Sequence, residues 1–288
     1  MADSGAKMAD RAISGMNKEL KRQYKQAAEE LKKKLADFNK RHEEENARKL
    51  AQVAAGTLKE RDYKAWLKQQ VFVGEIWERK VAQATALMLG VNEDAARAIG
   101  GKQIDVFAGN HNAFAAEAKG ITGVSFTMYD RKTVERLLKK DPQLLPGWQI
   151  NPDKDRAWSQ KKIQTAVTQG IIQGESVDGI TKRLIESLCG QSESRMRTLA
   201  RTAITEAQNA GRMDALHEAE DMGIRVRKKW LATMDSRTRD SHAELDGEVA
   251  DVDEEFSNGL MYPGDPSGPP EEVYNCRCTL VYVYPDYE

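Results

Sequence analysis

The sequence predicts a mainly α-helical protein that ends in a small α+β domain, with long helices first and then helices packed on a small β-sheet. Apolar residues recur every three or four positions over most of roughly the first 220 residues, which is typical of amphipathic helices. Segments 224–231 and 279–284 alternate apolar and polar residues, as strands do. The proline-rich segment 141–152 cannot continue a helix. We therefore predict a helical region over 1–150 and a second domain over 151–288.

Composition narrows the class of protein. Hydrophobic residues make up 40% of the chain and charged residues 31%, which suits a helix-rich protein with a modest core. The sequence contains no apolar run of about 18 residues, so no membrane span is predicted. The N-terminus lacks the basic-then-apolar pattern of a signal peptide. Three cysteines, an odd and small number, favour a reducing compartment over a disulfide framework.

The net charge of −1 hides an asymmetry along the chain. Residues 195–288 contain 11 Lys or Arg and 19 Asp or Glu, a net charge of −8. Residues 1–194 contain 33 and 26, a net charge of +7. Any contact with DNA is therefore expected to be non-specific, sensitive to salt and located in the N-terminal helices. The acidic C-terminal part is a poor electrostatic partner for DNA.

The first predicted helix carries one narrow apolar stripe over residues 13–42. Its other faces are dense in Lys, Arg and Glu, including the run 32–34, which we interpret as a solvated surface. Such a helix buries little apolar area by itself. The stripe therefore predicts pairing with another helix, either within the chain or on a partner chain.

Glycines and capping residues divide the next part of the chain. Gly56 and the capping box 57–60 predict a break, and a second long helix is expected over 58–89. Gly90 is predicted to end that helix, and Gly100 and Gly101 are predicted to end the short helix over 93–99 that follows.

The middle of the chain is less regular. Asn92 is expected to cap the short helix, and segment 104–123 stays open between loop and helix. His111 is interpreted as a surface or capping histidine, because no second metal ligand lies near it. Segment 124–128 alternates, which predicts a strand or an extended arm, and Asp130 is expected to cap the following helix.

Three further helices are predicted over 156–173, 177–188 and 193–222. Asp155 is expected to cap the first, and Cys189 is interpreted as a small buried side chain at a helix end. The third helix carries a polar face formed by Arg195, Thr198, Thr202, Thr205 and Asn209. That face has few solubilising lysines, so it predicts a hydrogen-bonded seam against the C-terminal motif.

The C-terminal motif concentrates residues that bind metals. Cys276 and Cys278 lead into a predicted strand, where positions two apart point to the same face, so both sulfurs can bind one metal. His242 is a candidate third ligand, with Asp235 or Asp240 as the fourth, and zinc accepts such a set. The alternative is a cysteine pair buried beneath a loop, with the histidine hydrogen-bonded to a neighbouring backbone group or aspartate.

The same motif is rich in arginine and aspartate. The possible pairs come from Arg237, Arg239 and Arg277 with Asp235, Asp240 and Asp246. We interpret them as an ion-pair network that fixes the loop 247–274, with Asp246 and Gly247 in the turn that begins it. The rival hypothesis is a metal-dependent nuclease in which His242 and these aspartates hold a divalent cation. The negative charge of the domain and the absence of lysine from the motif argue against it.

Together with the preceding helix, these residues resemble the head-morphogenesis domain of tailed bacteriophages, the phage Mu F-like minor head protein family. The resemblance covers roughly residues 160–283. The positions that match the family motif are Arg201, Thr202, Asn209, Gly211, Arg212, Trp230, Asp235, Arg237, Arg239, His242, Asp246, Gly247, Asn275, Cys276, Arg277 and Cys278.

The resemblance implies a structural virion protein without enzymatic activity, present in few copies. Such a protein lies in the capsid interior near the portal, and in the host cytoplasm during assembly. Its implied partners are the portal protein and the scaffold or major capsid protein, and in some relatives the packaged DNA, which it accompanies on ejection. Related phage proteins can carry ADP-ribosyltransferase domains at their ends. Because this chain stops at Glu288, shortly after the cysteine motif, we expect no such domain here.

Overall fold

The computed structural model describes residues 4–72, 75–145, 152–173, 175 and 177–286. The α-helices are Ser4–Ala54 (α1), Glu60–Phe72 (α2), Glu75–Thr122 (α3), Arg131–Lys140 (α4), Pro152–Gln173 (α5), Val177–Ile185 (α6), Gln191–Asp221 (α7), Asp240–Glu244 (α8) and Pro270–Val273 (α9). A 3-10 turn spans Pro142–Leu144, and a π-helical turn, Glu186–Gly190, joins α6 to α7. Within the described part of the chain, no helix has the length and apolarity to cross a bilayer.

A small antiparallel sheet follows the helices. Its strands are Arg227–Leu231 (β1), Val249–Ala250 (β2) and Thr279–Val283 (β3), in the order β2-β1-β3. The register of β1 and β3 places Trp230 opposite Leu280. The predicted fold class is confirmed, as are the two predicted strands. Strand β2 was not predicted, because two residues are too few to show an alternating pattern.

The chain forms two compact units. The sheet unit comprises Met1–Lys18, Arg97–Trp148 and Arg197–Glu288, and the helical unit comprises Glu19–Ala96 and Gln149–Met196. Each unit draws on both sides of residue 150. The predicted domain boundary at residue 150 therefore does not coincide with the division into compact units, and the two predicted domains stay a prediction.

Helix α3 continues through the positions that were predicted to end it. Gly90, Gly100 and Gly101 all lie inside this helix. A glycine in a helix costs about 1 kcal/mol relative to alanine, whereas each large apolar side chain buried on α3 contributes about 2 to 3 kcal/mol. Phe107 and Phe114 are both fully buried, so packing outweighs the local preference of the glycines.

The predicted break between the first two helices is confirmed, but not by the mechanism that was predicted. Gly56 adopts a φ of +71°, which favours glycine. Thr57 donates its hydroxyl back to the carbonyl of Gln52 and does not form a capping box. The buried stripe of α1 includes Met16, Leu20, Tyr24, Ala27 and Leu31. The side chains of 35–43, where that predicted stripe ends, lie outside the described residues.

Two predicted caps form a buried polar cluster in the helical unit. Asn92 accepts a hydrogen bond from the Tyr24 hydroxyl at 2.5 Å and donates to Asp155 at 3.1 Å. Arg195 donates to the other oxygen of Asp155 at 2.5 Å. The predictions that Asn92 and Asp155 cap helices are therefore wrong, because each side chain lies inside a helix and finds its partners on other helices.

Helices α4 to α7 agree closely with their predictions, whereas α8 and α9 were not predicted. Asp130 caps α4 by accepting from the Thr133 N–H at 2.7 Å, and the segment 124–129 before it belongs to neither a helix nor the sheet. Cys189 is buried in the π-helical turn, with its sulfur 3.7 Å from that of Met88. Helix α7 ends at Asp221, and Gly223, the predicted stop, follows it with a φ of +78°.

Candidate functional site

Helix α7 satisfies backbone groups of the chain that leads into β3. The Thr202 hydroxyl accepts a hydrogen bond from the Asn275 N–H at 3.1 Å. The Thr205 hydroxyl donates to the carbonyl of Cys276, also at 3.1 Å. Buried backbone groups that lie outside helices and sheets need such partners. The predicted seam against the C-terminal motif is therefore present at Thr202 and Thr205, whereas Arg195, also predicted on this face, pairs with Asp155.

Asn209 connects three separate backbone groups in the same seam. Its amide oxygen accepts from the Leu280 N–H at 2.9 Å. Its amide nitrogen donates to the Pro263 carbonyl at 2.7 Å and to the Cys278 carbonyl at 3.3 Å. The side chain is fully buried, so one asparagine joins α7 to the long loop and to β3.

Gly211 and Arg212 place α7 against its neighbours in the sheet unit. A Cβ at Gly211 would lie 2.4 Å from the carbonyl oxygen of Phe107, so only glycine permits this approach to α3. Arg212 is buried, donates to Asn110 at 3.1 Å and to the carbonyl of Leu280, and lies over the ring of Tyr282. Both motif positions therefore have structural roles.

His242, Cys276 and Cys278 meet in one buried cluster. The Nδ1 atom of His242 lies 3.4 Å from the Cys278 sulfur and 3.7 Å from the Cys276 sulfur. One potential ligand atom from each residue lies within 4.8 Å of the other two, and the residues are only 1 to 3% exposed. The pairing of β1 with β3 brings them together, since α8 follows β1 and both cysteines precede β3. We call these three residues the Cys-His cluster.

Glu272 orients the histidine from the opposite side. Its Oε2 atom lies 2.8 Å from Nε2 of His242, and it also accepts from the Ser241 hydroxyl at 3.1 Å. The Trp230 ring packs edge-on against the imidazole, with centroids 5.3 Å apart. The sequence analysis missed Glu272. The acidic pair 271–272, a few residues before Cys276, indicated that a carboxylate could lie near the histidine. The spacing alone does not show which of the two acids contacts it.

The two aspartates predicted as a fourth ligand are not part of the Cys-His cluster. Asp235 forms a two-point ion pair with Arg277, with both distances 2.5 Å. This arginine holds the pKa of Asp235 well below its usual range. Asp240 is exposed at the start of α8. Among the described residues, the group that converges on one point contains only the histidine and the two cysteines.

The predicted arginine and aspartate network is smaller than expected and centres on Asp235. Arg237 lies 3.7 Å from this carboxylate, in addition to Arg277. Arg239 instead donates to the Tyr274 carbonyl at 2.5 Å. Asp246 accepts from the Ala232 N–H at 2.9 Å, and Gly247 takes a φ of +87° in the turn that follows. These contacts fasten both ends of the loop 247–274.

The two thiols of the Cys-His cluster differ in acidity. A hydrogen bond from Cys276 lowers the pKa of Cys278. The same interaction with Cys278, together with burial, raises the pKa of Cys276. Cys278 is therefore the more acidic thiol of the pair and Cys276 the less acidic one.

The order of motifs and their contacts can be compared with known proteins. The family model for "Phage Mu protein F like protein" matches residues 161–281, which contain α7, the sheet and the Cys-His cluster. Residues 161–281 therefore belong to the phage Mu protein F-like family.

The curated relatives share this region. The chain is 32% identical over 136 residues to minor head protein GP7 of Bacillus phage SPP1, covering 46% of this chain and 43% of that protein. It is 35% identical over 125 residues to an NAD(+)–arginine ADP-ribosyltransferase, EFV, of Enterococcus faecalis, covering 43% of this chain and 26% of that protein. It is 30% identical over 181 residues to an uncharacterised Haemophilus influenzae protein, covering 63% and 37%. The chain thus spans less than half the length of each relative. No solved structure matches it.

The Mu F-like region also contains a buried lysine that the sequence analysis missed. Lys228 on β1 is fully buried and donates to the carbonyls of Val252 and Met261, both at 2.9 Å. Burial lowers its pKa to about 8. The alternation of β1 places this position on the core face, which was the available signal. Lys228 holds the middle of the acidic loop, as Asn209 holds its later part.

His111 on α3 contacts the Mu F-like region and is not the surface histidine that was predicted. It is fully buried and stacks on Tyr129 with ring centroids 3.7 Å apart. Its Nδ1 lies 3.1 Å from Asp214, and its Nε2 lies 3.0 Å from the Thr127 carbonyl and 3.2 Å from Glu218. Burial lowers the pKa of His111 to about 4 and raises that of Asp214 to about 6. The prediction failed because these partners lie on the arm 124–130 and on α7, far away in sequence.

Proposed function

We propose that this protein is a minor head protein of a tailed bacteriophage, a structural component that acts in head morphogenesis. The observation that carries the proposal is the match of residues 161–281 to the phage Mu protein F-like family. The chain is also similar to a minor head protein, GP7 of Bacillus phage SPP1. The contacts of the motif support a structural role. Asn209, Arg212 and Arg277 bond to backbone groups or to acidic side chains of the same chain.

The proposal extends to location and partners. The protein lies in the capsid interior near the portal, after assembly in the host cytoplasm, and binds the portal protein and the scaffold or major capsid protein. The net positive charge of residues 1–194 supports non-specific contact with the packaged DNA through the N-terminal helices. A protein bound to the DNA in this way would pass out of the capsid with it on ejection.

Analysis of virions tests the proposal. Purified particles, treated with nuclease and protease before disruption, are analysed by quantitative mass spectrometry against the major capsid protein. The protein is expected to be protected inside the particle and present at low stoichiometry. A phage that lacks its gene is expected to assemble defective heads. Absence from the virion, together with normal head assembly without the gene, would contradict the proposal. Co-purification with the portal protein of the same genome tests the partner separately.

The alternative function, a metal-dependent nuclease, is not supported by the geometry of the motif. Asp235 pairs with Arg277, and Asp246 accepts from a backbone N–H. His242 faces two sulfurs and Glu272, and not a set of carboxylates open to solvent. The purified protein with Mg²⁺ or Mn²⁺ is expected to leave plasmid DNA intact. Cleavage that is lost in His242→Ala would favour the nuclease instead.

A further inference from the structure

We propose that the Cys-His cluster binds one Zn²⁺ ion through Nδ1 of His242 and the sulfurs of Cys276 and Cys278, with a water molecule as the fourth ligand. The three atoms lie within 4.8 Å of one another, so a single ion between them can contact all three after small adjustments of the side chains. Two thiolates and one imidazole form a set that zinc prefers in proteins.

The position of the ring proton on His242 favours a bound metal over a cluster that is only packed. Because Nε2 faces the Glu272 carboxylate at 2.8 Å, the ring proton belongs on Nε2. Nδ1 then carries a free lone pair, which points at both sulfurs. A carboxylate that holds the distal nitrogen of a histidine ligand is a recurrent outer partner of zinc sites. Glu272 is itself held by the Ser241 hydroxyl, so this outer contact is fixed before metal binds.

The position of the cluster gives the ion a structural role. It would join α8, the segment before β3 and, through Glu272, α9. The helices α8 and α9 have only 5 and 4 residues, which is too short for either to be stable by itself. The intervening loop is rich in glycine, proline and acids. An ion that closes this loop contributes its binding free energy to folding.

The first experiment measures metal in the full chain. The protein is produced with zinc in the medium, purified under reducing conditions without chelators, and analysed by mass spectrometry for metals. The expected content is about one zinc per chain, and Co²⁺ substitution is expected to give the thiolate charge-transfer and d–d bands of a tetrahedral site. A folded protein that carries less than about a tenth of an equivalent and takes up neither ion would overturn the proposal.

Matched variants test the assignment of ligands. Cys276→Ser with Cys278→Ser is expected to abolish zinc binding and the cobalt bands. Cys189→Ser, which changes the buried cysteine of the helical unit, is expected to keep both. Equal zinc content in the double variant and the wild type would show that the ion binds elsewhere, and would overturn the assignment.

A milder substitution covers the case in which the double variant does not fold. Glu272→Gln keeps the size of the side chain and an acceptor for His242, but removes the charge. It is expected to weaken zinc binding about 10- to 100-fold in a competition with a chromophoric chelator. The neighbouring Glu271 is exposed, so Glu271→Gln serves as the control and is expected to bind zinc as the wild type does. Equal affinities of both variants and the wild type would contradict the role of Glu272.

Discussion

Single polar side chains hold the C-terminal part of this protein together from inside. Asn209, Arg212 and Lys228 are all buried, and each donates to backbone carbonyls of the long loop or of β3. Most of the loop lies outside helices and strands, so its buried carbonyls depend on these donors. A buried group that loses its partner costs about 1 to 3 kcal/mol. At the scale of residues, stability therefore depends on a few buried side chains, of which Asn209 and Lys228 each serve more than one backbone group.

Asn209→Asp separates the donor role of this residue from its acceptor role. The aspartate keeps an oxygen for the Leu280 N–H but loses the donors to the carbonyls of Pro263 and Cys278. We expect a loss of about 2 to 4 kcal/mol in the free energy of unfolding, measured by denaturant titration. Thr205→Val removes one bond to the Cys276 carbonyl and should cost about 1 kcal/mol. Equal effects of the two variants would contradict the multiple role of Asn209.

His111 and Asp214 make opposite contributions to the dependence of stability on pH. The pKa of His111 falls from 6.5 to about 4 on folding, so its contribution is complete above pH 6.5 and is lost as the pH falls toward 4. The pKa of Asp214 rises from 3.8 to about 6, so its contribution is present below pH 3.8 and is lost as the pH rises through 6. Between pH 4 and 6 the two largely cancel. Glu218 and Tyr129 also face this pair.

Asp214→Asn should reveal the contribution of the histidine. We expect the variant to lose up to about 3 kcal/mol of stability, relative to wild type, between pH 6.5 and 4. Denaturant titrations of both proteins at pH 6.5, 5 and 4, with His111 followed by NMR, provide the measurement. Parallel pH profiles for the two proteins would show that the histidine does not titrate as described.

Among the elements of the sheet unit, α7 approaches the backbone of α3 closely. It depends on the absence of a side chain at Gly211, where a Cβ would lie 2.4 Å from the backbone oxygen of Phe107. Backbone cannot move aside as a flexible side chain can, because the hydrogen bonds of the helix hold it. The distance between the two helices is therefore determined by the single residue Gly211.

Gly211→Ala should force α7 and α3 apart. We expect a loss of about 2 to 4 kcal/mol in stability, because neighbouring buried contacts are disturbed as well. Gly100→Ala is the matched control within α3, since a Cβ at that position would meet no atom within 4 Å, and it should stabilise the protein by about 0.5 to 1 kcal/mol. Thermal unfolding of both variants gives the comparison. A neutral or stabilising Gly211→Ala would contradict the close contact.

At the scale of the whole molecule, charge and contacts divide the chain differently. The net charge is +7 over residues 1–194 and −8 over residues 195–288. The sheet unit nevertheless includes Met1–Lys18 and Arg97–Trp148 from the positive part. A fragment that starts near residue 155 lacks these segments, so DNA binding has to be tested in the full chain.

Neutralising lysines of α1 should weaken any binding to DNA without altering sequence preference. Lys32→Ala and Lys33→Ala together should lower the slope of log K against log salt by up to about two. The control changes Arg225 and Arg227 to alanine, and should leave the slope unchanged because an aspartate already pairs with each of these arginines. Fluorescence anisotropy with two unrelated duplexes measures the effect. An equal loss in both variants would contradict the location of binding in the N-terminal helices.

The sequence by itself determined the fold class, most of the helices, both long strands and the polar face of α7. It also predicted that His242, Cys276 and Cys278 would meet. These features follow from local periodicity, from breakers such as Gly56 and Gly223, and from the rule that residues two apart in a strand share a face. Such information is present within a window of a few residues.

Only the tertiary structure decided which polar groups are partners across long separations in sequence. It assigned Glu272 to His242, Asp235 to Arg277 and Asp214 to His111. It also carried α3 through its glycines, because burial of large side chains outweighs a local cost of about 1 kcal/mol at each glycine. Partner choice depends on distances that arise only when α7, the loop and β3 pack together, and no local pattern encodes those distances.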